Sequence, residues 1–130
     1  MRSNWIEEAE QIIGYTFNSK SLLVRAFTHS SYANEHINFP DYEKLEFLGD
    51  AVLGFVMSVY LYNYFPNMNE GDLTKKRAGI VGEATLSKIV ERLGLNRFIL
   101  VGAGNRNDNI CNSTSVRCDL FESIIGAILL

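Results

Sequence analysis

The stretch Tyr42–Val52, YEKLEFLGDAV, places Glu43, Glu46 and Asp50 in one short segment that is otherwise largely apolar. At about 100° per residue in a helix, Glu46 and Asp50 fall within roughly 60° of Glu43, so the three acids share a narrow arc. Leu45, Leu48, Val52, Phe55 and Val59 fall on the opposite side, while Leu53, Met57 and Leu61 return to the acidic arc. Beyond Asp50 the helix is therefore apolar all round, the pattern of a buried central helix. The carboxylates stand where a solvent-facing end becomes core. Glu43 also fits the ordinary preference for acids at a helix N-terminus. That explanation is weaker for Glu46 and poor for Asp50, which lies beyond the reach of the dipole and is a poor helix former. Clustered carboxylates of this kind hold either a proton or a cation.

A second acidic pair, Asp119 and Glu122, sits at i and i+3 in RCDLFESIIGA (Arg117–Ala127), again entering an apolar run. Two readings stay open from the residues alone. Asp-x-x-Glu before an apolar stretch is a capping-box pattern. Alternatively, two helices that each carry such a pair and pack side by side make an oxygen-only site, which suits Mg²⁺ or Mn²⁺. Zinc and di-iron are excluded by the donor set: a di-iron bundle wants Glu-x-x-His, and neither His29 nor His36 is so placed. Carboxylate-held Mg²⁺ is apparatus for phosphate chemistry, since it lowers the pKa of bound water and neutralises phosphate oxygens.

The rest of the chain frames these helices. Its 130 residues predict one all-α domain. NWIEEAEQIIGY (Asn4–Tyr15) has helical spacing, with Asn4 as N-cap and Gly14 as stop. NSKSLLVRAFTHS (Asn18–Ser30) predicts a second short helix, and SYANEHINFPDY (Ser31–Tyr42) a loop. Asp41 is the expected N-cap of the long helix, which runs to about Tyr64 before Pro66. Further helices follow from PNMNEGDLTKKRAGIV (Pro66–Val81), from EATLSKIVERLGL (Glu83–Leu95) with its end at Gly94, and from about Ser115 onward. GAGNRNDNICNST (Gly102–Thr114) reads as a polar loop, and only FILVG (Phe98–Gly102) is strand-like. No unbroken apolar run reaches the roughly 20 residues of a membrane span, and the acidic N-terminus lacks a signal-peptide core. The reading is a cytoplasmic protein that does not engage a membrane. Cys111 and Cys118 lack zinc spacing and are expected as free thiols. A net charge of −3 argues against a strongly basic nucleic-acid module, yet suits an enzyme that meets a polyanion through metal ions.

At this point four ordered blocks resemble one family. YEKLEFLGDAVL resembles the signature of the ribonuclease III catalytic domain, E-R-L-E-F-L-G-D-[AS]-[VI]-L. FTHSSYANEH (Phe27–His36), FPNMNEGDLTKKRAGIV (Phe65–Val81) and SVRCDLFESIIGAILL (Ser115–Leu130) match its other blocks in order. The resemblance covers the chain from about Trp5 to Leu130. It implies a helical bundle around a central long helix: a homodimeric, Mg²⁺-dependent endonuclease that cuts double-stranded RNA and leaves 5′-phosphate and 3′-hydroxyl ends with short 3′ overhangs. It implies that Glu46, Asp50, Asp119 and Glu122 are metal ligands and catalytic groups, with Mn²⁺ as a substitute ion. Glu43 and Glu70 correspond to accessory acids, and Phe47 to an aromatic that enters a socket on the partner subunit. Gly49 would allow close helix approach.

Residues 1–130 thus read as a catalytic domain truncated at its last helix, with no double-stranded-RNA-binding domain. Arg117 and Cys118 depart from the small apolar residue and Ala that precede the late Asp in the family. Lys75, Lys76 and Arg77 form a compact basic cluster, either a solvated helix face or a contact with the RNA backbone. His29 reads as a hydrogen-bonding scaffold residue, and Tyr60, Tyr62 and Tyr64 as packing residues. Two other functions compete. An all-α nucleoside-triphosphate pyrophosphohydrolase also pairs carboxylates around Mg²⁺, but with its pairs closer in sequence and without LEFLGD. A non-catalytic ribonuclease III-like dimerisation or RNA-binding module tends to lose the acids that this chain keeps.

Overall fold

The computed structural model describes residues 4–103 and 108–130. Helix α1 (Trp5–Ile13) ends at Gly14, whose left-handed backbone (φ 82°) favours a residue without a Cβ. Asn4 stands at its N-cap position but its side chain makes no cap bond. Helix α2 (Lys20–Ala26) follows, and then a short α3 (Ser30–Ala33) inside the segment expected to be a loop. That turn forms because the His29 ring accepts from the Ser31 backbone N–H, a cap that a search for Ser, Thr, Asp or Asn does not register. The long helix α4 (Glu43–Tyr64) begins where the Asp41 carboxylate accepts from the Glu43 N–H at 3.0 Å.

Helix α5 (Glu70–Ile80) is capped by Asn69, and α6 (Glu83–Leu93) ends at left-handed Gly94 before a 3₁₀ turn, Leu95–Phe98. The polar segment 102–114 contains a short helix, α7 (Asp108–Cys111), while residues 104–107 of that expected loop lie outside the described residues. Helix α8 (Thr114–Leu129) closes the fold. Among the described residues no strand forms; FILVG contributes one parallel bridge, Thr28 to Leu100.

The bundle is all-α as expected, but the buried helix is α8. Cys118, Leu120, Glu122, Ser123, Ile124, Gly126 and Ala127 are all buried along it. Leu120, Ile124 and Ala127 meet Leu23, Ala26 and Phe27 of the α2 segment, Val90 of α6, and Leu45 of α4 in one core. Trp5 seals one end, stacked on Phe98 and edge-on to Phe27.

Helix α4 is buried only in part. Past Asp50 only Leu61 is buried, beside Leu73 and Arg77 of α5, and Leu53 and Met57 are half-buried, whereas Phe55 is 69% exposed and Tyr62 74%. The expectations that this half is core, and that Tyr60, Tyr62 and Tyr64 are packing residues, are both corrected. A helical wheel reports which sides are apolar, and the fold supplies neighbours for only some of them. By length and composition α4 also meets the measure of a membrane-crossing helix, which an unbroken-run criterion missed because acids interrupt it. Those acids lie in the half packed on α8, and an Asp inside a span costs about 2.5–3.5 kcal/mol.

Candidate metal centre

Two glycines bring the acidic helices together. A Cβ on Gly49 of α4 would fall on the Glu122 carbonyl oxygen, and one on Gly126 of α8 would fall on that of Leu45. The helices therefore touch backbone to backbone, closer than any side chain permits. This contact places Glu46 beside Asp119, and Asp50 beside Glu122, each pair close enough to share a proton when one partner is protonated. Carboxylate oxygens of Glu46, Asp119 and Glu122 all lie within 4.8 Å of one another. Asp50 joins the group through Glu122 and is the more exposed of that pair.

Helix α8 begins five residues before Asp119, at Thr114, and its cap is Ser113, whose side chain accepts from the Val116 N–H. Asp119 and Glu122 are interior helix residues, so the capping-box reading is excluded. They face α4 because residues three apart share a helix face. Burying them raises their proton affinity. Burial, then the charge of Asp119, pushes Glu46 up to about 7. Burial, then the charge of Asp50, pushes Glu122, only 9% exposed, up to about 8. Asp119 is also raised, chiefly by burial.

An all-oxygen donor set with this much mutual repulsion fits a hard divalent cation, whose charge removes the repulsion that protons otherwise relieve. Glu46, Asp119 and Glu122 would hold it, with Asp50 adjoining.

The sign of the resulting pH dependence is fixed. Raised carboxyl pKa values mean that the folded state binds more protons than the unfolded state between about pH 4.5 and 8, so stability falls as pH rises through that window. Glu10, which its hydrogen bond to Lys20 holds below the usual range, contributes outside it. In EDTA the melting temperature is expected to be lower at pH 8 than at pH 5.5, and Mn²⁺ at pH 8 is expected to reverse the loss. Calorimetry at the two pH values checks this; a melting temperature that rises toward pH 8 without metal contradicts it.

The family model described as Ribonuclease-III-like matches residues 19–130. The chain belongs to the ribonuclease III family. It is 46% identical over 125 residues to ribonuclease 3 of Enterococcus faecalis, covering 95% of this chain and 54% of that protein. To ribonuclease 3 of Listeria welshimeri it is 44% identical over 129 residues, covering 98% and 56%. The chain spans about half the length of the curated relatives it matches. Its structure superposes on the nuclease domain of ribonuclease III from Campylobacter jejuni with a TM-score of 0.87 at 42% identity, covering 95% of this chain and 83% of that one. Dicer from Pichia stipitis gives 0.63 at 28%, covering 87% and 45%.

On this ribonuclease III framework the remaining expected residues divide. Glu43 is the first residue of α4, and its charge acts on Glu46 and Asp119, so it is both a helix-terminal acid and a neighbour of the cluster. Phe47 is 80% exposed beside it. Glu70 does not join the cluster: it lines a cavity of about 260 Å³ with Ser58, Leu61, Tyr62, Leu73, Thr74 and Arg77. Leu61 lies about 22 Å along α4 from Glu46 at 1.5 Å per residue. The basic run does not act as one patch either. Lys75 and Lys76 are exposed, with Lys76 over the Phe65 ring, while Arg77 donates to Ser58 Oγ at 2.7 Å and ties α5 to α4.

Two groups at the site carried no sequence signal. Glu83, first in α6, acts on Asp119 because α6 packs on α8. Tyr42, 4% exposed, is close enough to the acids to feel their charge; its hydroxyl is held protonated by burial and by Asp119. Of the two departures from the family pattern, Arg117 donates to Ser87 Oγ and to the Asn112 carbonyl, away from the acids. Cys118 is buried, and burial followed by the charge of Glu122 pushes its thiol up to about 12. Both therefore sit beside the acids without joining them, and neither Cys111 nor Cys118 forms a disulfide among the described residues.

Proposed function

We propose that this chain is the catalytic domain of a divalent-metal-dependent endoribonuclease. It hydrolyses phosphodiester bonds of double-stranded RNA in the cytoplasm, leaving 5′-phosphate and 3′-hydroxyl ends with short 3′ overhangs. The observation that carries this is the convergence of Glu46, Asp119 and Glu122 oxygens within 4.8 Å, from two helices locked by facing glycines. Mg²⁺, with Mn²⁺ as substitute, would supply Lewis acidity there, the chemistry that lowers the pKa of bound water and offsets phosphate charge. Glu46, Asp50, Asp119 and Glu122 would bind and orient the ion, near buried Tyr42, whose hydroxyl stays protonated. Lys75 and Lys76 are proposed contacts to the RNA backbone, where they carry position rather than sequence.

The exposed aromatic half of α4 supports a two-fold homodimer, as does its likeness to the Campylobacter jejuni nuclease domain, a region of which takes part in dimer formation. Phe47 is the proposed anchor. Glu70, remote from Glu46 within one chain, can serve as an accessory acid only across the subunit boundary. Phe47→Ala is expected to weaken association by roughly 3–5 kcal/mol, the scale of truncating a buried aromatic. Sedimentation of both proteins over a concentration series measures it, and a wild type that stays monomeric at micromolar concentration removes the dimer.

The test of function is cleavage of a long RNA duplex with Mg²⁺ and with EDTA. Metal-dependent fragments with 5′-phosphates are expected. Nucleotide hydrolysis without duplex cleavage would favour the pyrophosphohydrolase reading, and neither activity would favour the non-catalytic module.

A further inference from the structure

Two tyrosines of α4 stand apart from the stripe that carries the proposed dimer. At 100° per residue Phe47, Phe55, Val59 and Tyr62 fall within an arc of roughly 120°, and Tyr60 and Tyr64 lie about 160° from its middle. Tyr60 is 51% exposed and Tyr64 64%. Their rings are nearly parallel, with 11° between planes and 5.3 Å between centroids. Tyr64 meets the Phe65 ring edge-on at 4.9 Å, and Lys76 Nζ of α5 lies over Phe65, 5.1 Å from its centroid. Tyr64 and Phe65 also border an open crevice of about 420 Å³ with Pro66, Asn67, Met68 and Asp72.

An unbroken series of contacts thus joins two exposed rings to a cation. A lone exposed aromatic needs no explanation. Two rings held parallel beside a lysine present a fixed π-face next to a positive charge. Unpaired nucleotides fit that arrangement, since a base stacks on the ring and its phosphate meets the ammonium. A duplex does not fit, because its bases are stacked on one another and only a splayed-out base can reach a ring. Proline-rich peptides also dock on aromatic-lined grooves, and Asp72 would suit a basic one. The cations favour RNA. Lys75 and Lys76 are both exposed, one helical turn beyond Asp72, and they are already the proposed backbone contacts. The aromatic rings therefore continue a surface that meets RNA.

We propose that Tyr60 and Tyr64, with Lys76, form a stacking platform for a single-stranded RNA segment that extends from the duplex being cut. The inference rests on RNA as the substrate. Along α4 the platform lies roughly 21–27 Å from Glu46 at 1.5 Å per residue, so it grips the strand away from the reacting bond. Binding of that kind, equal in ground and transition states, lowers KM and leaves kcat unchanged. It also favours an unpaired strand over any particular sequence, because every base has a π-face.

Fluorescence anisotropy of a labelled oligoadenylate in EDTA reads the platform alone. Cleavage of one duplex with and without an unpaired flank reads its use. The double variant Tyr60→Ala, Tyr64→Ala is expected to bind oligoadenylate at least about fivefold more weakly, the lower end of what one base–aromatic stack contributes. Its KM for the flanked duplex should rise by a similar factor, with kcat, and cleavage of the blunt duplex, within about twofold of wild type. The double variant Tyr60→Phe, Tyr64→Phe keeps the π-faces and should match the wild type in both assays. Equal oligoadenylate binding by the Ala variant and the wild type overturns the proposal. A proline-rich peptide that binds the wild type where oligoadenylate does not overturns it in favour of a protein partner. Loss of self-association in the Ala variant overturns it in favour of the dimer face. If oligoadenylate binding depends on the tyrosines but the wild type cuts neither duplex, the nuclease reading fails and the platform stands.

Discussion

Glu122→Gln is expected to lower duplex RNA cleavage at least about a hundredfold, the scale of losing one preorganised electrostatic contact, while the protein stays folded. Glu122 is buried, stands beside Asp50, and lies with Glu46 and Asp119 in the only group of this kind found among the described residues. Gln keeps the shape and can still donate to Asp50, but it offers a cation a neutral oxygen in place of an anionic one. Without metal, the variant removes a charge that burial and Asp50 already disfavour, so its melting temperature in EDTA should equal or exceed that of the wild type at pH 8. That gain should shrink at pH 5.5, where Glu122 of the wild type is protonated. Excess Mn²⁺ should restore part of the rate. The experiment combines melting curves at both pH values with metal-titrated cleavage on one protein preparation. Wild-type cleavage by this variant would remove Glu122 from the site.

Among the described glycines, Gly49→Ala should be the most destabilising added methyl group. The added carbon would occupy the position of the Glu122 carbonyl oxygen, a backbone atom that cannot rotate away. Helices α4 and α8 must then separate. Overpacking of a core costs about 1–3 kcal/mol and occasionally more. A backbone obstacle belongs at or above the top of that range, partly offset by about 1 kcal/mol of better helix propensity. A net loss of about 3 kcal/mol corresponds to roughly 10 °C in melting temperature for a domain of this size. The same separation parts Glu46 from Asp119 and Asp50 from Glu122, so Mn²⁺ binding and cleavage should fall together with stability. Gly79→Ala is the control: nothing lies within 4 Å of its added carbon, and it should be neutral or slightly stabilising. Equal melting temperatures for the two variants would show that the helices do not meet as described.

Local chemistry was legible in the residues, and the fold bears it out where one helix decides the matter. Gly14 and Gly94 end their helices in the left-handed conformation because no side chain obstructs them there. The Asp41 carboxylate accepts from the Glu43 N–H where α4 begins, although the N-cap is Tyr42, one residue later than expected, and the acids of YEKLEFLGDAV share one arc because a helix has a fixed period. Even the open alternative for Asp119 and Glu122 was a question of where a helix begins, and Ser113 answers it.

Partnership between helices is another matter, because period and propensity act within a few residues while packing joins residues more than seventy positions apart. The apolar half of α4 looked like core, yet it is α8 that the fold buries. Glu83 and Tyr42 reach the acids only through packing, and Glu70 is kept from them by the length of α4. Lys75, Lys76 and Arg77 are adjacent in the chain, but successive helical residues point about 100° apart, so Arg77 turns inward to Ser58. The acids themselves, and their arrangement on each helix, were set by the order of residues. That they meet as one centre was decided by the backbone contact at Gly49 and Gly126, where the absence of two Cβ atoms lets one helix reach the other.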